Sequence, residues 1–133
     1  MCGIAGFTGK SDQYELDRLL KSILYRGPDE NGQLVEKNEI NFCHARLSII
    51  DLISGKQPLE ISDCIIIFNG EIYNYVEINK ELISLGCKFK TKSDTETILL
   101  SYLNFGENFL QKLNGMFSFA IYDKKKKKII SSL

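Results

Sequence analysis

A stretch in the middle of the chain reads Cys64-Ile65-Ile66-Ile67-Phe68-Asn69-Gly70. Its five apolar residues form a continuous run with the length of a β-strand. Asn-Gly is the dipeptide that best fits a tight turn with positive φ. The stretch therefore predicts a strand at 64–68 that ends in a hairpin or sharp bend at Asn69-Gly70.

Further strands are predicted on both sides of this stretch by apolar runs bounded by turn residues. They are expected at 3–8, 40–50, 116–123 and 129–132. Asn31-Gly32 is expected to be a turn that divides residues 30–51 into strands. The lysine run 124–128 joins the last two strands, and its charges favour a solvated hairpin turn.

Helical patterns lie between groups of predicted strands, and helices are expected at 16–24, 75–85 and 93–103. Ser11 can cap the first helix, and Gly27-Pro28 ends it. Gly86 stops the second, and Ser-Asp-Thr-Glu at 93–96 forms a capping box that opens the third. Because strands and helices segregate rather than alternate strictly, an α+β layered arrangement is favoured over a Rossmann-like one.

Composition excludes several classes of function. The 133 residues, 44% hydrophobic and 26% charged, are ordinary for one soluble globular domain. Seventeen basic and seventeen acidic side chains cancel, so no field attracts nucleic acid or an anionic membrane. The sequence has no apolar run of membrane-spanning length, and its start does not resemble a signal peptide. We therefore expect a cytoplasmic protein.

The cysteines indicate a reduced compartment and no metal site. Cys43, Cys64 and Cys87 lie in apolar, strand-like stretches without the spacing of metal ligands. All three are expected to be buried small hydrophobic residues.

Cys2 is a candidate nucleophile because of its position. Removal of Met1 would leave a thiol and a free α-amine on one residue. An α-amine ordinarily titrates near pH ~8 and a thiol near ~8.5, so the amine can accept the thiol proton near neutral pH. The alternative is that position 2 merely tolerates a small residue, and the position alone favours that alternative.

Six short motifs occur in order between residues 2 and 123. They are Cys2-Gly3-Ile4-Ala5-Gly6, Arg26-Gly27-Pro28-Asp29, His44-Ala45-Arg46-Leu47-Ser48-Ile49-Ile50-Asp51, Phe68-Asn69-Gly70-Glu71-Ile72-Tyr73-Asn74, Ser93-Asp94-Thr95-Glu96-Thr97 and Asn114-Gly115-Met116-Phe117-Ser118-Phe119-Ala120. The series resembles the class II glutamine amidotransferases, which are N-terminal-nucleophile hydrolases. Within that class, the third and fourth motifs resemble asparagine synthetase.

The resemblance implies a four-layer αββα sandwich of the N-terminal-nucleophile hydrolase type. Residues 1–133 would form a type-2 glutamine amidotransferase domain that is truncated at its C-terminus, because family domains continue with further strands. The implied reaction is hydrolysis of L-glutamine to L-glutamate and ammonia, which supplies asparagine synthesis from aspartate and ATP. ATP and magnesium belong to a C-terminal synthetase domain that this sequence lacks. No cofactor is therefore expected here, and the expected partners are glutamine and that domain, with a homodimer left open.

The resemblance also implies roles for individual residues. Cys2 is the implied nucleophile, and the Asn69 amide and the Gly70 N–H are the implied donors to the oxyanion that forms. The alternative for Asn69-Gly70 is an ordinary hairpin turn.

The remaining implied residues bind the two charged ends of glutamine. Arg46 would bind the α-carboxylate through its guanidinium fork, with main-chain groups of Leu47 and Ile49 beside it. Glu71 and Asp94 would bind the α-ammonium group. The alternatives are a surface ion pair for Arg46 and a helix cap for Asp94.

Two further residues are expected to support the site. Arg26 would order the loop beside the nucleophile, although a helix-ending turn explains its motif equally well. His44 is the sole histidine. Because an N-terminal amine makes an imidazole base unnecessary, we assign His44 to packing or orientation.

Two other functions fit the same sequence. A truncated chain could be an inactive module for folding or dimerisation, with an exposed sheet edge that is prone to pairing. Alternatively, the ammonia could serve a different acceptor, such as a surface sugar.

Overall fold

A computed structural model describes residues 1–48 and 55–132, which form two antiparallel sheets and flanking helices. The strands are β1 Gly3–Thr8, β2 Glu30–Glu36, β3 Ile40–Arg46, β4 Leu59–Ile61, β5 Cys64–Ile72, β6 Gly115–Asp123 and β7 Lys128–Ser132; the helices are α1 Gln13–Ile23, α2 Tyr75–Ser84 and α3 Asp94–Phe105. Short 3₁₀ segments follow α1 and α3. Within these described ranges, no helix is long and apolar enough to cross a membrane.

The sheets face each other between two helical layers. The first sheet has the order β1-β3-β2, and the second has the order β4-β5-β6-β7. Helix α1 packs on the first sheet, α3 packs on the second and against α2, and β5 contacts both β1 and β3. The predicted α+β class and four-layer αββα arrangement are confirmed.

Strand β5 is the centre of the molecule because it is apolar on both faces. Ile65 and Ile67 pack between the sheets, in a cluster with Ile40 and Phe42 of β3. The alternate residues Cys64, Ile66 and Phe68 belong to the larger cluster beneath α2 and α3. Successive side chains of a strand point to opposite faces, so a continuous apolar run fills both layers of the core.

Both Asn-Gly turns predicted from the sequence are wrong. Asn69-Gly70 lies inside β5, whose pairing with β6 continues without interruption from Cys64 to Ile72. Asn31-Gly32 lies inside β2, and the chain reverses instead around Asn38, which has a φ of 61°. In both cases pairing along the whole neighbouring strand outweighs the local preference of the dipeptide.

The predicted helix caps are partly wrong. Asp12, not Ser11, caps α1 by accepting a hydrogen bond from the Glu15 N–H, whereas Ser11 Oγ accepts from the Asn38 N–H. Ser93 does cap α3. Glu96 does not complete a capping box, because its carboxylate accepts from the Lys90 and Thr91 N–H groups of the preceding loop.

Other local expectations have mixed outcomes. The lysine run is a hairpin turn, in which Lys124 pairs with Glu36 and Glu60. Cys43 and Cys64 are buried as predicted, but Cys87 is only half-buried and lies outside the strands. The strand predicted to reach residue 50 ends at Arg46, and residues 49–54 lie outside the described ranges.

Candidate active site

A cavity of about 340 Å³ opens at the end of the sandwich where β1 begins and β3 ends. It is lined by Met1, Cys2, Arg46, Leu47, Gly55, Gln57, Phe68, Asn69, Gly70, Glu71, Tyr73, Ser93, Asp94, Thr95 and Met116. Seven of the eight candidate site residues therefore surround one space, and the eighth, Ile49, lies outside the described residues.

Cys2 is held at this cavity by hydrogen bonds to its side-chain sulfur and to its carbonyl oxygen. The β1–β3 register places Gly3 opposite Ala45, so Cys2 lies beside the residues that follow β3. Its Sγ accepts a hydrogen bond from the Leu47 N–H at 3.4 Å and lies 3.7 Å from the Leu47 carbonyl oxygen. Arg26 Nε donates to the Cys2 carbonyl oxygen at 3.1 Å, so Arg26 lies beside the candidate nucleophile.

Arg46 is a buried cation at the end of β3. Its side chain is 5% exposed, and Nη1 lies 2.9 Å from an oxygen of Glu30, its cross-strand partner. This hydrogen bond is the main reason why the pKa of Glu30 is lowered. Because Arg46 is buried, it is not a surface ion pair, and Glu30 holds its guanidinium in place.

The second half of β5 exposes backbone donors along one edge. The Phe68 N–H donates to Gln57 Oε1 at 2.6 Å, and the Ile72 N–H donates to Asp94 Oδ2 at 3.1 Å. The alternation of an antiparallel strand puts the Gly70 N–H on the same edge, between these two. Among the described strands, β4 pairs with β5 only as far as Ile66, so no strand covers Gly70 there.

Gly70 cannot be replaced by a larger residue without rearrangement. Its φ is +143°, and a Cβ atom would lie 2.2 Å from the Met116 carbonyl oxygen on the neighbouring strand. The Asn-Gly dipeptide therefore has a different use from the one predicted. It lets β5 adopt a positive φ and approach β6 closely while remaining paired with it.

Asp94 is a buried carboxylate at the first residue of α3. It is 7% exposed, and desolvation raises its pKa, with the nearby Glu71 charge acting in the same direction. The Ser93 hydroxyl caps the helix by accepting from the Thr95 N–H, so the cap does not require Asp94. A buried acid at a cavity wall is a suitable partner for a bound cation.

Gln57 was not predicted from the sequence. Besides accepting from the Phe68 N–H, it donates from Nε2 to Thr95 Oγ1 at 3.1 Å. Tyr73 and Met116 also line the cavity, and their side chains are mostly exposed at its mouth. Tyr73 and Met116 lie in the fourth and sixth motifs but received no role from them, whereas Gln57 lies in none of the six motifs.

His44 lies behind the cavity wall. It is 1% exposed, and its Nε2 lies 3.2 Å from the Phe68 carbonyl oxygen. Burial lowers its pKa to about 4, so the imidazole is neutral near pH 7, and Nε2 must carry the proton to donate to that carbonyl. This placement fits an orienting role.

Comparison with known proteins identifies the class. The family model of the glutamine amidotransferase domain matches residues 1–132, so the chain belongs to this family. The chain is 44% identical over 133 residues to asparagine synthetase (glutamine-hydrolysing) 1 of Bacillus subtilis strain 168, with 93% of this chain and 21% of the relative covered. The probable glutamine-hydrolysing asparagine synthetase of Schizosaccharomyces pombe is 37% identical, with 99% of this chain and 25% of the relative covered.

These matches confirm the resemblance to asparagine synthetases, although the chain spans only about a fifth to a quarter of the length of these relatives. A solved structure of glutamine phosphoribosylpyrophosphate amidotransferase from B. subtilis, complexed with ADP and GMP, has a TM-score of 0.77 at 19% identity. It covers 91% of this chain, which covers 35% of that one, and it confirms the fold.

Proposed function

We propose that this domain hydrolyses L-glutamine to L-glutamate and ammonia, with Cys2 as the nucleophile after removal of Met1. One observation carries the proposal: a single cavity joins a cysteine at position 2 to a buried arginine and a buried aspartate. Arg46 and Asp94 offer the opposite charges that the α-carboxylate and the α-ammonium group of an amino acid require. The family and the relatives' names support glutamine as that amino acid.

The reaction uses groups of the chain alone. The α-amine of processed Cys2 takes the thiol proton, and the thiolate attacks the side-chain amide carbon of glutamine. The oxyanion that forms accepts hydrogen bonds from the Asn69 amide and the Gly70 N–H. Its collapse breaks the C–N bond, and the leaving nitrogen receives the proton and departs as ammonia.

Water completes the cycle by attacking the thioester that remains. The α-amine takes a proton from this water, and a second oxyanion forms at the same donors. Collapse of this intermediate breaks the C–S bond, releases glutamate and returns the proton to the thiol. No cofactor is required in this domain.

Substrate binding is assigned to charged and main-chain groups around the cavity. Arg46 binds the α-carboxylate, with main-chain groups of Leu47 and Ile49 beside it. Asp94 and Glu71 bind the α-ammonium group. The raised pKa of Asp94 supports this assignment, because a bound cation would stabilise its ionised form.

The ammonia would be used elsewhere in a longer protein. By analogy with the asparagine synthetases it resembles, the acceptor is aspartate, and ATP and magnesium would act in a C-terminal synthetase domain. The four free thiols support a cytoplasmic location, because an oxidising compartment would favour oxidation of a cysteine nucleophile.

Labelling with a glutamine analogue tests the proposal. Mass spectrometry first checks that Met1 is absent, and the protein is then incubated with 6-diazo-5-oxo-L-norleucine. We expect one covalent adduct on Cys2 and protection by L-glutamine. A processed, folded protein that takes up no label would instead favour an inactive module.

A further inference from the structure

On the edge of β5 that faces away from β6, the main chain of Phe68 is bound by two side chains rather than by a further strand. Its N–H donates to Gln57 Oε1 at 2.6 Å, and its carbonyl oxygen lies 3.2 Å from His44 Nε2. Both groups lie on the edge of β5 that β4 no longer covers beyond Ile66. Buried backbone groups need partners, and here they come from β3 and from the loop before β4.

This arrangement fixes the peptide that precedes Asn69. The Phe68 carbonyl and the Asn69 N–H belong to one planar peptide group, so binding the carbonyl oxygen sets the orientation of that plane. The Gly70 N–H is the next donor along the same edge. Small rotations at Phe68 would therefore change the direction of both donors assigned to the oxyanion.

Gln57 also connects the Phe68 main chain with the other wall of the cavity. Gln57 Nε2 donates to Thr95 Oγ1, next to Asp94 at the start of α3. Asp94 in turn accepts from the Ile72 N–H, two residues beyond Gly70. The segment 68–72 is thus held at both ends by side chains outside its own sheet pairing.

We infer that His44 and Gln57 are positioning residues, which hold the Phe68 main chain so that Asn69 and Gly70 face the reacting carbonyl. The inference rests on the proposed glutaminase function. Neither side chain is required to touch the reacting atoms. Their contribution should therefore appear in kcat rather than in KM, because donor placement matters most in the transition state.

Three variants test the inference in the processed protein. His44→Leu and Gln57→Met remove the polar contacts, whereas His44→Gln keeps an N–H donor on a side chain of similar reach. We expect the first two to lower kcat about 10- to 100-fold, as donor misplacement does. Their KM for glutamine should stay within about threefold of wild type, and His44→Gln should recover most of kcat.

Ile130→Val is the matched control, because it weakens the core in β7 away from the cavity. It should lower the unfolding midpoint without changing kcat. Unchanged kcat in Gln57→Met, a change in KM alone, or an equal loss in Ile130→Val would overturn the inference. If His44→Leu does not fold, Gln57→Met decides alone, because Gln57 is only half-buried.

Amide spectra separate this inference from the proposed function. In ¹⁵N-labelled protein, His44→Leu and Gln57→Met should shift the Asn69 and Gly70 amide signals, and Ile130→Val should not. Unmoved signals would refute the positioning role even if glutamine is hydrolysed. Shifted signals in a protein that hydrolyses no glutamine would leave the positioning role standing and remove the function.

Discussion

Two cavities of nearly equal size lie at opposite ends of the sandwich. The first, about 340 Å³, contains Cys2 and the second half of β5. The other, about 360 Å³, lies where β1 ends and β3 begins, beside the β6–β7 turn. Volume alone would not say which of them is a functional site.

The two cavities differ in the charges that lie beside their acidic side chains. In the second cavity Glu39 accepts from the Tyr122 hydroxyl and pairs with Lys127 Nζ at 2.8 Å, which raises the pKa of Lys127. In the first cavity, Asp94 is buried, and the charge beside it is the like charge of Glu71. An acid whose ionised form is destabilised by its surroundings is stabilised by a cationic ligand, whereas the carboxylate of Glu39 already has a cationic partner in Lys127.

The largest expected effect comes from removing the nucleophile. Cys2→Ala should lower glutamine hydrolysis by at least about 10³-fold, to the background rate, because Cys2 is the only cysteine among the described residues that line the first cavity. Ammonia release measured on the processed protein checks this. Cys87→Ala is the control. Cys87 lies outside both cavities, so this variant should retain the wild-type rate of glutamine hydrolysis. Residual hydrolysis in Cys2→Ala above background would exclude the thiol mechanism.

A second large effect is expected in stability at the wall of the first cavity. Gly70→Ala places a Cβ 2.2 Å from the Met116 carbonyl oxygen at a φ of +143°. We expect a loss of about 4 kcal/mol or more in the free energy of unfolding, measured by urea denaturation.

Gly106→Ala is the matched variant for Gly70. Gly106 also has a positive φ, of +63°, but its Cβ would meet nothing within 4 Å. Gly106→Ala should lower the free energy of unfolding only by the backbone strain, about 1–3 kcal/mol. Equal losses in the two variants would mean that the close approach of β6 to Gly70 does not matter.

This glycine also shows what sequence patterns can and cannot predict. The apolar run at 64–68 correctly predicts a strand because its length and composition suit burial on both faces. The predicted end of the strand at Phe68 was wrong, because pairing of β5 with β6 extends to Ile72 and overrides the turn preference of Asn-Gly. Local propensity is a weak guide where a long ladder competes with it.

Family motifs indicated part of the lining of the first cavity and not the rest. Arg46, Asn69 and Asp94, to which the resemblance gave roles in glutamine hydrolysis, line this one cavity. Gln57 carries no such signal, because its contact with Phe68 exists only once β4 and β5 are in register. Long-range register is a property of the folded sheets, so a single sequence does not reveal it.

The histidine behind the first cavity predicts a pH dependence of stability. The folded-state pKa of His44 is about 4, below its ordinary value near ~6.5, mainly because of burial. Between these two pKa values the unfolded chain binds a proton at His44 that the folded chain does not bind. The contribution of the neutral His44 to the free energy of unfolding is therefore complete above pH ~6.5 and is lost as the pH falls toward 4. The loss attributable to His44 is on the order of 3 kcal/mol.

Because the chain has one histidine, its imidazole signal can be followed directly by proton NMR. We expect no titration between pH 8 and about 5.5, and a flatter dependence of the urea midpoint on pH in His44→Gln. An imidazole that titrates near its ordinary pKa would contradict the buried, neutral histidine.

The smallest effect is expected from replacing one acidic residue of each cavity and comparing the KM for glutamine. Asp94→Asn removes a carboxylate from the first cavity, and Glu39→Gln removes one from the second. Loss of a charge-assisted contact to the substrate ammonium costs about 1.5–3 kcal/mol, so Asp94→Asn should raise KM for glutamine about 10- to 100-fold with a smaller change in kcat. Glu39→Gln should change neither parameter, because Glu39 is already paired with Lys127.

Stability should change in the opposite order. At neutral pH, Asp94→Asn relieves the cost of a buried charge whose pKa is raised, so the unfolding midpoint of the free protein should not fall and is expected to rise. Glu39→Gln removes a partner from Tyr122 and Lys127 and should lower the midpoint slightly. A buried carboxylate without a cationic partner lowers the stability of the free protein and raises its affinity for a cationic ligand. Asp94→Asn should therefore raise the stability and lower the affinity. If both variants lower stability and leave KM unchanged, Asp94 is a structural residue and the distinction between the cavities fails.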